Sequence, residues 1–363
     1  VNNEELLRLC RVSKDLYNQA LYIVKTSLKE DNKFLFYQDL NRIMISQRNL
    51  EGEVNYRKLK AQVSQQTLKV LYKSVKSYVK SIKDYSKNKS KYNGVPRLPD
   101  YKQEFNQLIY TNQSCSIKKG KICFSSTLSI PIPQYDKYEK DLKNFQQVRV
   151  NPMNGYTEIE IVYLTKDILP EETKVDYGRY ASIDLGLNNL VTMVTDFMNP
   201  RIYSGGQIKS KNRYFNKVVS NLKSIAEKEN NKKSTKQIKQ LYDKRGKELT
   251  DIFHKVSRSI VNTLLNNGIG NLIIGHNSGW KDSIGIGKVN NQNFVMVSFD
   301  KLISFLKYKC QMVGIVFTEH EESYTSKCDS LVEETICKHE TYSGRRTKRG
   351  LFQSACGKLL NAD

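Results

Sequence analysis

Asp184 is the residue whose type and setting suggest chemistry most directly. It lies in the stretch 180–189, YASIDLGLNN. Tyr180, Ser182 and Asp184 alternate with Ala181, Ile183 and Leu185, the period of two that marks a strand. A carboxylate buried in such an apolar run is costly unless paired, and a metal ion is a usual partner. Gly186, Asn188 and Asn189 then turn the chain and 191–194 resumes as a strand, so a hairpin with the carboxylate near its rim is expected. The competing reading is an Asp that only caps a strand end.

Several elements must position that hairpin. Apolar residues at helical spacing predict an amphipathic helix over 3–29, a second over 35–47 and a long third over 56–85. The third carries Lys69, Lys73, Lys76 and Lys80 away from its apolar face, a row that is either solvated or set to meet phosphate. The breaker cluster 93–99, NGVPRLP, marks a domain junction. Beyond it, short β-forming runs at 106–111, 114–118, 121–125, 128–132, 146–150 and 157–164 predict a small antiparallel barrel or sandwich. A lysine-rich helical hairpin is expected over 207–267, bending near 230–234 and carrying Arg213 and Lys217. A strand at 271–275, a helix at 294–312 and a strand at 313–318 complete the order of an α/β core.

Composition narrows the partners. The chain has 363 residues and a formal net charge of +22, from 59 Lys plus Arg against 37 Asp plus Glu. Such an excess favours a polyanion, and the 22 Tyr and 13 Phe offer stacking surfaces, so nucleic acid is preferred over a membrane. No apolar run is long enough to span a bilayer, and no N-terminal signal is visible. Seven cysteines without a paired framework fit a reducing cytoplasm. The four His include no adjacent pair, which speaks against a His-paired DNA transposase. Oligomeric state stays open.

Four motifs in order carry a resemblance. The 180–189 stretch, 271–281 (NLIIGHNSGWK), 324–328 (YTSKC) and the terminal Asn361, Ala362 and Asp363 resemble the TnpB family of transposon-encoded, RNA-guided nucleases, related to type V CRISPR effectors. LYNQAL at 16–21 and GVPRLP at 94–99 are similar too. The resemblance implies an α+β multidomain fold: a helical recognition region (1–95), a β-barrel wedge domain (96–175) and an RNase H-like RuvC nuclease domain (176–363). Within the last, 207–267 is the helical hairpin and 325–358 an eroded zinc ribbon that contacts target nucleic acid. It also implies guide RNA and target double-stranded DNA as partners, with pairing reading the sequence.

RuvC chemistry uses Asp, Glu and Asp to hold two Mg²⁺ ions. The resemblance assigns the first to Asp184 and the third to Asp363. Family members carry the Glu at the end of the strand that reads Leu272, Ile273, Ile274 here, and this chain has Gly275 there. His276 beside it is a poor ligand for Mg²⁺. Glu319, Glu321 and Glu322 follow the strand 313–318, expected beside the Asp184 strand, and Glu322 is the expected replacement. The alternative is a nuclease-inactive, RNA-guided DNA-binding protein acting as a repressor.

The ribbon has lost parts of both Cys-x-x-Cys pairs. Cys328, Cys337, His339 and Cys356 remain as an irregular set for Zn²⁺, with free thiols on a shortened loop as the competing reading. Arg345, Arg346, Lys348 and Arg349 in the same segment are expected to contact nucleic acid. Trp280 either packs its loop or stacks a base.

Overall fold

The computed structural model describes residues 3–30, 33–165, 174–231, 234–276, 292, 295–348 and 350–361. Two compact units divide the chain near residue 166.

The first unit opens with α1 (Glu4–Glu30), α2 (Tyr37–Met44) and α3 (Ala61–Lys87). Leu6, Cys10, Leu16, Leu21 and Val24 of α1 face Val63, Leu68, Leu71 and Val75 of α3 in one apolar core. A buried polar contact fixes the crossing: the Ser13 and Thr67 hydroxyls lie 3.1 Å apart, and Ser13 donates to the Gln107 carbonyl at 3.0 Å. Two small sheets follow. One is β1 (Leu108–Thr111), β5 (Phe145–Pro152) and β6 (Thr157–Tyr163), in the order β1-β5-β6. The other is β2 (Ser116–Lys118), β3 (Lys121–Cys123) and β4 (Ser129–Pro131).

The expected barrel is therefore not closed. Strands β2, β3 and β4 have three residues each, too few ladder bonds for the stagger that closure demands. A short helix the sequence pattern did not reveal, α4 (Tyr135–Leu142), interrupts the run before β5. Leu108, Ile122, Phe124, Ile130, Val148 and Val150 join the same core as α1 and α3. Helices and sheets of this unit thus share one core.

The second unit is built on a five-stranded sheet, ordered β11-β10-β7-β8-β9. The hairpin is β7 (Asp176–Leu185) and β8 (Asn189–Thr195), extended by an edge strand, β9 (Arg201–Ser204), that the sequence did not reveal. Strand β10 (Ile269–Gly275) runs parallel to β7, and β11 (Val316–His320) runs parallel to β10. Helices α5 (Gly206–Asn230), α6 (Lys236–Asn266) and α7 (Phe299–Gln311) connect these strands. Ile183, Leu272 and Ile274 pack with Phe253, Ile260, Leu264, Phe299, Leu302 and Leu306 in one core.

Strand β11 corrects two expectations. It begins at residue 316, not 313, because α7 ends in a reversal that uses residues 312–315. Gly314 takes φ +76°, and the Ile315 amide donates back to the Cys310 carbonyl at 3.0 Å. It also pairs with β10, not directly with the Asp184 strand. The last sheet, β12 (Arg345–Lys348), β13 (Leu351–Gln353) and β14 (Leu359–Asn361), forms the ribbon.

Leu306 has no exposed surface and sits where α7 meets this core. Leu306→Ala should cost about 2–5 kcal/mol, read from the urea midpoint of the second unit's transition.

Candidate active site

Asp184 is the penultimate residue of β7. Ala181, Ile183 and Leu185 are buried on one face of the strand, and Tyr180, Ser182 and Asp184 are exposed on the other. The expected buried carboxylate is thus corrected. Alternation turns Asp184 away from the apolar core, so its charge is not stranded.

Register places the neighbours of Asp184. Ile274 of β10 pairs with Ile183, so Gly275 stands beside Asp184 one step further on. Gly275 pairs in turn with His320 of β11. His320, Gly275 and Asp184 therefore form a row across three strands on one side of the sheet. Glu322 lies two residues past His320 and returns to that side. A Cβ built on Gly275 would fall inside the Glu322 carboxylate and against its Cγ. Glu322 has taken the space that a side chain at position 275 would fill.

The electrostatics agree with that placement. Glu322 is half-buried, and its pKa is raised, first by loss of hydration and then by the negative charge of Asp184. A half-buried carboxylate whose proton affinity is raised by a second one beside it forms a site a cation would relieve. Oxygen donors of this kind suit Mg²⁺.

The other two acids go elsewhere. Glu319 meets Lys307 Nζ of α7 at 3.3 Å and His276 Nδ1 at 3.7 Å. Glu321 accepts from the Ser323 hydroxyl at 2.6 Å. His276 also lies 3.5 Å from Asp300 Oδ1. Of the three glutamates, only Glu322 turns toward Asp184. Asp363, Trp280 and Arg349 lie outside the described residues.

Gly275 is the functional feature that spacing did not reveal. From sequence it reads as a lost glutamate; in the fold it is the clearance through which Glu322 crosses β10. The available signal was a glycine ending an apolar strand, which often marks a close approach by another group.

The four ribbon residues do not form a metal centre. Among the described residues, no three His, Cys, Asp or Glu side chains are grouped to hold an ion. Cys337 Sγ lies 3.4 Å from His339 Nε2, while Cys328 Sγ donates toward the Thr335 carbonyl at 3.4 Å. Cys356 Sγ lies 3.2 Å from the Ser354 hydroxyl. The turns are tied instead by Asp329, a buried carboxylate that accepts from Ser354 Oγ and the Ala355 amide, both at 2.7 Å, and from the Leu331 amide at 3.1 Å. This donor set does not fit tetrahedral zinc.

The basic candidates are placed on three surfaces. Lys73, Lys76 and Lys80 are exposed along α3, and Lys69 sits over the Tyr37 ring at 5.4 Å. Arg213 and Lys217 are exposed one turn apart on α5. Arg345, Arg346 and Lys348 are exposed on β12, a strand rather than a loop.

Comparison with known proteins matches both parts of the second unit. Residues 160–281 match the family OrfB_IS605, described as a probable transposase. Residues 299–363 match the Cas12f1-like TNB domain. A TnpB-like protein, ORF457 of Acidianus two-tailed virus, is 22% identical over 195 residues, covering 51% of this chain and 40% of that protein's length. The mini-RNA-guided endonuclease CRISPR-Cas_phi3 shares the fold at TM-score 0.52 and 11% identity, over 97% of this chain and 87% of that one. A Cas12f1 complex with sgRNA and target DNA aligns at TM-score 0.39 and 13% identity, over 99% and 92%. Two segments of the chain are thus similar to the OrfB_IS605 and Cas12f1-like TNB families, the fold is like that of CRISPR-Cas_phi3, and the chain spans less than half the length of the curated relative it matches.

The raised Glu322 pKa has a consequence for stability. The folded chain holds this proton more tightly than the unfolded one, so stability is lost as pH rises from the unfolded value through the raised folded one. In buffer free of divalent ions, Glu322→Gln should melt above the parent at about pH 7, and the gap should close as pH falls toward the ordinary carboxylate range. Added Mg²⁺ should raise the melting temperature of the parent more than that of the variant.

Proposed function

We propose that this TnpB-like chain is an RNA-guided DNA endonuclease whose Asp184, Glu322 and Asp363 hold divalent ions. The observation that carries this reading is the Glu322 carboxylate seated over Gly275 against Asp184. A chain that had only lost its glutamate would have no reason to keep this space free of a side chain. It would have no reason either to aim a second acid into it.

Strand order supports the roles proposed for Asp184 and Glu322. Asp184 is held by β7, the middle strand of the sheet, which is hydrogen-bonded on both sides. Glu322 follows β11 and crosses β10 at Gly275, where no side chain stands in its way. When bound, two divalent ions activate a water and stabilise the leaving oxygen of the phosphodiester. Glu322 would surrender its raised proton affinity as a cation occupies the site. The exposed lysines and arginines of α3, α5 and β12 would track guide and target phosphates, while base pairing selects the sequence.

A cleavage assay with Mg²⁺ and the cognate RNA tests the reading. Asp184→Ala and Glu322→Ala should lose cutting while keeping RNA and DNA binding. Glu319→Ala and Glu321→Ala should cut like the parent. Gly275→Ala removes no functional group yet should behave like Glu322→Ala, because its methyl expels the carboxylate. Gly275→Glu placed on Glu322→Ala should restore activity. A parent that binds its target but never cuts would select a guided repressor instead.

A further inference from the structure

Lys309 on α7 is an ammonium almost wholly removed from solvent, with 3% of its surface exposed. It donates to the His254 carbonyl at 2.8 Å and the Ser257 hydroxyl at 2.6 Å, both on α6. No carboxylate lies within ion-pair distance of it among the described residues. Its pKa is driven down to about 8, by burial first and then by the nearby Arg258 guanidinium. A buried cation without a counter-ion is expensive. Its ammonium also lies 5.8 Å from the Phe305 ring centroid and 5.9 Å from that of Tyr308, on its own helix. Two of its three donors are used, leaving one for an acceptor from outside.

Lys309 lines a groove of roughly 670 Å³ between α6 and α7. Arg258, Ser259, Asn262 and Asn266 share its walls and are exposed. Lys255 stands at one end, where Asp251 pairs with it at 2.7 Å. Residues 255, 259, 262 and 266 follow one stripe of α6 and span roughly 16 Å at 1.5 Å per residue. That length matches several phosphates at the roughly 3.4 Å axial spacing of one nucleic-acid strand. The wall is thus a line of neutral hydrogen-bonding groups with cations set into it, a pattern suited to an extended polyanion rather than a compact one.

We propose that the α6–α7 groove centred on Arg258 and Lys309 binds the phosphodiester backbone of a nucleic-acid strand. The proposal rests on the reading of the chain as a nucleic-acid-binding protein. It adds a contact surface that the lysine rows of the sequence did not indicate, because Lys309 falls on the apolar stripe of its helix with Leu302 and Leu306.

The test measures binding of the full chain to a labelled single-stranded RNA and to a labelled DNA duplex across a salt series. Arg258→Glu and Asn262→Asp place a negative charge in the groove on exposed positions. Lys29→Glu, exposed on α1, makes the same charge change as Arg258→Glu elsewhere. Arg258→Glu should weaken binding about tenfold or more and flatten the slope of log affinity against log salt by about one. Lys29→Glu should do neither. Lys309→Met should melt no lower than the parent while binding more weakly, which a purely structural lysine would not do. A loss confined to RNA assigns the groove to the guide, a loss confined to the duplex assigns it to the target, and a loss on both makes it a shared track. Unchanged affinity and slope in Arg258→Glu and Asn262→Asp, in a parent that binds both probes, would overturn the groove alone. A parent that binds neither probe would overturn the nucleic-acid reading itself.

Discussion

Repulsion between two carboxylates is the constraint around which the second unit is arranged. Asp184 ends β7 and Glu322 follows β11, strands that are not neighbours, and the charge of Asp184 adds to the cost of ionising Glu322. Holding them together requires a frame that does not yield. Strand β7 supplies it by bonding to β10 on one side and β8 on the other. The apolar layer of Phe253, Leu264, Phe299 and Leu306 supports the same sheet from its other face. Side-chain alternation does the rest, since one face is committed to that core and the acids must share the other.

On the function proposed above, Gly275 is where a site would have moved along a fold that did not change. The carboxylate expected at the end of β10 is absent, and a longer side chain from beyond β11 reaches the same region. Two changes had to agree: removal of the side chain at 275 and an acid at the right parity past β11. Either change alone would leave a clash or a gap. The chemistry is therefore a property of the position in space, and the residue number that fills it is secondary.

Much of this was legible in the sequence, for stateable reasons. Period-two patterning exposed β7. Helical spacing revealed α1 and α3 because both bury a full apolar stripe. What the sequence hid depended on pairing or on very short segments. Nothing local says that β11 lies beside β10 rather than β7, and nothing local distinguishes a lost glutamate at 275 from a cleared passage. Three-residue strands such as β2 and β4 carry too little pattern to decide between a barrel and two open sheets. Asp329 was invisible for a different reason: the eye goes to the cysteines, while the tie is made by the aspartate next to one of them.

That tie sets the chemical resilience of the ribbon. Asp329 joins its two turns through a hydroxyl and backbone amides, none of which an oxidant attacks. Cys337 and Cys356 are exposed thiols, yet neither is part of the tie. Peroxide stress would mark those sulfurs without unfastening the segment beside the nuclease-like sheet. The ribbon's two turns are thus held by a carboxylate and the groups that donate to it, whatever the state of the thiols around them.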